Sequence, residues 1–383
     1  MIGPDQIWGE AVRTLEAGTM FALATVINVR GSTPREIGAK MIVRTDGQFG
    51  TIGGGCGEAE VFRKARILLE EGQGARLTEV DLTGDFDQKE IGTCGGIMDV
   101  FVDIWKPGSD LEIARRLYEA AAHSRPAALV TLVDPGTPDA GKVGARSVLD
   151  PAAGKASVPI EIAPRAITQL GVRAADGTAV LVEVSENGGA NPVTRIESTG
   201  APRLFLDPVS GAQRLVIAGA GHIAQPLAAL GSMLGFHVTV IDDRASFANR
   251  ERFPTADEII IRPFGPAVAA LNLDRHCYLV SVTRGHSFDE DVILTALRNS
   301  RGAFIGMIGS RRRVKATLDR IGAMGIAPEL LDQVHAPLGI DIAAETPEEI
   351  ALSIISEIVR ERRSGVRDDA NLGVKTGRLQ PRR

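Results

Sequence analysis

Cysteine is almost missing from this chain: Cys56, Cys94 and Cys277 are the three found in 383 residues. So small and odd a number excludes a disulfide framework, and the spacing excludes the CxxC pairs of a structural zinc site. Three scattered thiols also cannot supply the Cys₄ sets of iron–sulfur clusters. No metal constellation is expected. Aromatic residues are equally sparse at 4%, whereas 43 glycines predict many tight turns and βα connections. An excess of basic charge is absent too: the net charge is −5, which argues against wrapping nucleic acid. No run approaches the roughly 18 apolar residues of a membrane span. The N-terminus shows no basic region leading into a long apolar core, so no secretory signal is expected. A cytoplasmic protein with reduced thiols is the expectation.

What is present begins with residues 31–58, GSTPREIGAKMIVRTDGQFGTIGGGCGE. Gly53, Gly54 and Gly55 in a row are costly unless the main chain turns sharply or approaches a ligand. Cys56 follows at once, and a thiol beside exposed backbone N–H groups favours the thiolate. A glycine-rich turn with an inert, buried cysteine is the other reading. A second cluster, GTCGG at 92–96, contains Cys94 and Gly95. The two loops face one site across a sheet, or they are two separate turns.

Around these loops the pattern reads helix at 5–17, strand at 21–29, a loop holding Arg35, a hairpin across Asp46-Gly47, and a helix opening at the GGGC loop. IMDVFVDIW at 97–105 alternates as a strand, followed by a helix at 111–123 and a strand at 126–134. Residues 135–208 are irregular, with short strands such as AVLVEV; RLFLDPV is expected to cross into the next domain.

That next domain is clearer. Residues 214–244 run strand, glycine turn, helix, strand, with Gly219, Gly221 and Ala224 forming GxGxxA and Asp242 about 20 residues further on. The glycines admit a pyrophosphate to a helix N-terminus, and Asp242 is placed to hold a ribose hydroxyl. A Rossmann unit that has lost its nucleotide is the alternative. Asp243 and Arg244 leave open a 2′-phosphate. Strands and helices then alternate as in a doubly wound sheet. Arg284, His286, Asp289, Ser310 and Arg311 fall at the carboxyl ends of its strands, where ligands bind. Arg311, Arg312 and Arg313 oppose the dipole of the helix they begin, which favours an anionic partner over a merely solvated helix start. His335 lies in a Pro/Gly loop, with a structural or a functional role both open. Thr346, Pro347 and Glu349 spell a capping box for the last helix.

The expected fold class is α/β: an N-terminal α+β domain with a mixed sheet over 1–208, then a Rossmann-like doubly wound parallel sheet over 209–363. A disordered tail is expected over 364–383, where five cations face two carboxylates.

In order along the chain, GSTPRE, GAKM, GTIGGGC-E, CGG, IAGAGH, IDDR, TRGH-x-x-D, GMIGSRRR and HAPLGIDI-x-x-ETPEEIA resemble the XdhC/CoxI family, maturation factors for molybdenum hydroxylases such as xanthine dehydrogenase. The resemblance implies a chaperone, rather than an enzyme, that binds molybdenum cofactor (molybdopterin or its dinucleotide form). It implies sulfuration by a cysteine desulfurase and delivery to an apo-hydroxylase. The implied cofactor-binding residues are Arg35, Gly53, Gly54, Gly55, Gly95, Gly219, Gly221, His222, Ala224, Asp242, Ser310 and Arg311. Cys56 and Cys94 would handle the cofactor as metal ligands or sulfur carriers. An NAD(P)-dependent oxidoreductase using Arg284, His286 or His335 as acid–base groups is the alternative. A homodimer is expected, because a second subunit commonly closes such a cleft.

Overall fold

The computed structural model describes residues 3–82, 95–123, 125–137, 141–150, 159–177, 179–185, 187–194, 200–209 and 213–367. The chain divides into two compact units, one ending at residue 212 and the other beginning at Gln213.

The first unit runs α1 (Pro4–Glu16), β1 (Phe21–Arg30), β2 (Lys40–Arg44), β3 (Gly47–Gly50), α2 (Cys56–Glu71), β4 (Ala75–Asp81), β5 (Ile97–Trp105), α3 (Pro107–Ala122), β6 (Ala128–Asp134), β7 (Arg146–Leu149), α4 (Pro164–Asp176), β8 (Val180–Val184), β9 (Ala190–Pro192) and β10 (Arg203–Pro208). The apolar, β-branched run of β1 makes it the centre of an antiparallel sheet ordered β3-β2-β1-β5-β4. On one face, α2 presents Val61, Ala65 and Leu68 to Ala24, Val26, Val100 and Val102. On the other, α1 and α3 bury Trp8, Leu15 and Leu117 against Phe21 and Trp105.

A second antiparallel sheet, β7-β6-β10-β8-β9, occupies much of the stretch that the sequence pattern leaves irregular. RLFLDPV does not cross into the next unit. It forms β10, the central strand, paired with β6 and β8 in the first unit. Leu204 and Leu206 pack on α4, while Phe205 turns to the opposite face with Ile27 and Phe101. β10 is thus buried on both faces, by α4 on one and by the first sheet on the other. Polar ties join the two sheets: Lys40 Nζ lies 2.8 Å from an Asp207 carboxylate oxygen, and Asn28 Nδ2 donates to Asp99 and to the Thr194 carbonyl.

The second unit runs β11 (Arg214–Ala218), α5 (Ala224–Met233), β12 (His237–Asp242), β13 (Glu258–Ile261), α6 (Phe264–Ala269), β14 (Cys277–Ser281), α7 (His286–Asn299), β15 (Phe304–Met307), α8 (Arg311–Ala323), α9 (Pro328–Leu331), β16 (Val334–His335) and α10 (Pro347–Arg367). Its strands form one parallel sheet ordered β13-β12-β11-β14-β15-β16, the expected doubly wound arrangement. Leu227, Ile354, Ile355 and Ile358 cover one face; Phe264, Val292, Ile293 and Val314 cover the other. The capping box forms as read, with Glu349 N–H donating to Thr346 Oγ1 and Thr346 N–H donating to the Glu349 carboxylate. Helix α10 continues to Arg367, past residue 364 where the tail was expected to start; residues 368–383 lie outside the described residues. Among the described residues no helix is long and apolar enough to cross a membrane.

Candidate functional site

In the first unit the motif loops meet. The loop after β1 carries GSTPRE, and the glycines that precede β5 lie directly on it. A Cβ built on Gly96 would stand 2.3 Å from the Ser32 carbonyl oxygen and 2.8 Å from that of Arg30. A Cβ on Gly53 would stand 2.7 Å from Pro34 Cγ and 3.7 Å from Arg35 Cγ. GSTPRE therefore touches both glycine loops, and backbone positions without a side chain are what permit it. Gly54 and Gly55 are exposed, and Cys56 is the first residue of α2. Arg35 is half-buried; its carbonyl accepts from Thr33 Oγ1 at 2.9 Å, while its guanidinium has no hydrogen-bond or ion-pair partner among the described residues. Cys94 lies outside the described residues; its neighbour Gly95 is in the left-handed region at φ 71°.

Glu58 is a tether here. Its carboxylate accepts from Thr51 Oγ1, from the Ile52 N–H at 3.1 Å and from Gln48 Nε2 at 3.1 Å. The loop before the glycines is thus fixed to the first turn of α2. Glu58 was not singled out as a site residue from sequence, because its partners lie upstream and carry no motif.

In the second unit, Gly219 brings its backbone against the β14 edge: a Cβ there would lie 2.6 Å from the Val282 carbonyl oxygen. Around Gly221 the space is open, His222 is exposed, and Ala224 is buried at the start of α5. Asp242, expected to hold a ribose hydroxyl, already has partners. It is 1% exposed and its carboxylate is already engaged by Ala220 N–H at 2.9 Å, Arg244 N–H at 3.1 Å, Arg244 Nε at 2.9 Å and the Arg244 terminal nitrogen at 3.0 Å. A ribose hydroxyl would have to displace Arg244. Asp242 closes the glycine turn onto β12, because a buried carboxylate requires such compensation. Beside it Arg284 grips Asp243 through two hydrogen bonds of 2.7 and 2.9 Å. This contact, opposed by burial, holds the Asp243 carboxyl down to about 2. Arg244 stacks over Phe247 and Arg284 over Phe288.

The starts of α7 and α8 open on a cavity of about 640 Å³. His286, Ser287, Ser310, Arg312, Arg313 and Arg320 line it. Arg311 does not: it lines a separate pocket with Leu318 and Pro337, because consecutive helical residues point about 100° apart. Asp289, fully buried, accepts from Ser281 at 2.8 Å, Thr283 at 2.6 Å and Arg313, so it anchors Arg313 rather than facing a ligand. His335 is not among the residues lining this cavity. Its Nδ1 lies 3.2 Å from Glu357, and its ring packs against Phe304, tilted by 34° with centroids 4.1 Å apart. Arg312 belongs to the arginine run read as favouring an anion, whereas Arg320, two turns further along α8, was not singled out from sequence. Among the described residues no His/Cys/Asp/Glu group could hold a metal ion.

Two family models match in order along the chain: the XdhC and CoxI family over residues 14–81 and the XdhC Rossmann domain over residues 215–358. The chain is 25% identical over 356 residues to YqeB of Escherichia coli (strain K12), covering 92% of this chain but 46% of that relative, about half its length. It is 26% identical over 351 residues to a Bacillus subtilis (strain 168) protein named as a probable xanthine dehydrogenase component, covering 89% and 93%. It is 23% identical over 354 residues to the molybdenum cofactor insertion chaperone PaoD of Escherichia coli (strain K12), covering 92% and 86%. The fold matches a Bacillus halodurans crystal structure described as a xanthine dehydrogenase, with a TM-score of 0.70 at 24% identity over 94% of this chain and 96% of that one. With both units matched by the two halves of one family, over more than half of its residues, the chain belongs to the XdhC/CoxI family.

Proposed function

We propose that this protein is a maturation factor for a molybdenum hydroxylase. It takes molybdenum cofactor as cargo, supports its sulfuration by a cysteine desulfurase and inserts it into the apo-enzyme. The observation that carries this reading is the meeting of GSTPRE with both glycine loops at the start of α2, where Cys56 stands. The name of PaoD, an insertion chaperone for this cofactor, supports it, as does the hydroxylase name of the Bacillus subtilis relative. The residues suit an anionic cargo: Arg35 is a cation without a partner among the described residues, and the helix start adds backbone donors. The Cys56 thiolate is suited to bind molybdenum or to carry sulfur, with Cys94 as the second thiol. Gly219, Gly221, His222 and Ala224 would receive the nucleotide half of a dinucleotide cofactor. A carrier of this kind is a chaperone rather than a catalyst, and we place it in the cytoplasm as a homodimer.

The test is the molybdenum and pterin retained by protein purified from a cofactor-producing host. Cys56→Ala and Cys94→Ala should each lower retention or downstream sulfuration by about tenfold or more. Wild-type levels in both variants would remove the thiols from the proposal.

A second reading, an NAD(P)-dependent oxidoreductase, is favoured by Arg284 and His286 following β14 at the point where strand order reverses. The engagement of Asp242 by Arg244 weighs against it. Titration with NADH and NADPH, followed by fluorescence, decides: absence of saturable binding eliminates this reading.

A further inference from the structure

We propose that the cavity between the starts of α7 and α8 is a receptor for a phosphoryl group, borne by a phosphate monoester or a diphosphate, and is distinct from the glycine turn after β11. None of its lining residues belongs to that turn. Its volume of about 640 Å³ falls inside the range of about 300–1,000 Å³ common for small-molecule sites.

Charge accounting gives the sign of the ligand. Arg320 is matched by Glu290 at 2.6 Å, the one carboxylate on the cavity wall. Arg313 is matched by buried Asp289, yet its Nε is buried without a hydrogen-bond partner. Arg312 is exposed and has no partner among the described residues. One guanidinium charge on the wall is therefore unmatched. It stands in the first turn of α8 with Arg311 and Arg313, where three cations oppose the helix dipole. An anion between the helices reverses that cost.

Hydrogen-bond accounting gives the shape. The N–H groups of His286, Ser287, Arg311 and Arg312 begin their helices and make no backbone hydrogen bond among the described residues. Ser310 Oγ accepts from Arg313 N–H at 3.3 Å, which leaves its own O–H to donate. Donors thus come from two separate helices. A planar carboxylate presents its oxygens in one plane, whereas a tetrahedral phosphoryl group offers acceptors toward both.

The experiment is calorimetric titration of the full-length protein with inorganic phosphate and with pyrophosphate, and with acetate as the planar control. Saturable binding of phosphate or pyrophosphate, without binding of acetate, is expected; the stronger of the two identifies monoester or diphosphate. Arg312→Glu should weaken it by about tenfold or more. Arg311→Glu makes the same charge change in the same turn but faces the other pocket, and should leave affinity within about twofold. Gly221→Val, which fills the glycine turn, should also leave it within about twofold. Absence of binding, equal losses in the two arginine variants, or loss in Gly221→Val would each overturn the proposal. Because no pterin is added and no thiol is altered, the result is independent of the cargo assigned to Cys56.

Discussion

Burial pushes the Cys277 thiol up to about 11, well above the range in which a cysteine reacts at neutral pH. Native protein treated with iodoacetamide at pH 8 should therefore carry no label on Cys277, as read by peptide mass spectrometry. Labelling there without denaturant would contradict its buried position on β14. Modification of the native chain then reports on Cys56 and Cys94. Glycine at 96 has a sharper constraint. Gly96→Ala forces a methyl carbon against two carbonyl oxygens that belong to the GSTPRE loop and the end of β1. It should cost about 1–3 kcal/mol in urea unfolding, and an unchanged midpoint would show that the loops part more easily than their contact indicates. Neither effect is visible in the sequence. GTCGG reads as a glycine cluster, but which backbone presses on it depends on the pairing of β1 with β5.

The turn-helix-turn elements of the second unit were the most readable. GxGxxA, the alternating strands and the capping box each rest on local spacing, and each forms where the pattern places it. What local spacing does not show is the second set of partners that Asp242 has. Its position fits ribose recognition, but the arginine two residues later folds back onto it, and only the folded β12 end reveals the competition. Asp242→Asn should lower stability by about 2 kcal/mol or more in the absence of any nucleotide, measured by urea denaturation, because it breaks a buried charge pair. A neutral outcome would return Asp242 to the role of ligand. The adjoining pair gives a pH signature. Asp243 is depressed, so the stabilisation from Arg284 is complete above about pH 3.9 and is lost as pH falls through about 2. Being partly exposed, the pair contributes below about 1 kcal/mol. Carboxylate NMR should show Asp243 titrating near 2, and Arg284→Gln should return it toward about 3.9.

At the scale of the molecule, each unit carries its own cores. The parallel sheet is covered on both faces by helices of the same unit, and the first unit has two sheets joined by their own polar and apolar contacts. A fragment of residues 213–367 should fold unaided, with a cooperative thermal transition by circular dichroism; a featureless melt would show dependence on the first unit. The second antiparallel sheet was the largest feature not legible in the sequence. Strands such as AVLVEV are readable one by one, but turns of glycine, proline and asparagine interrupt the stretch, and no local window shows which strand pairs with which.

The tether formed by Glu58 also decides where the cysteine-bearing loop can be observed. Its upstream half is bound to α2, while a carbon added at Gly54 would meet nothing within 4 Å. A reporter group grafted at residue 54 would accordingly sit two positions from Cys56 without repacking the helix or the sheet. Arrival and departure of the proposed cargo could then be followed as an optical signal from the loop itself.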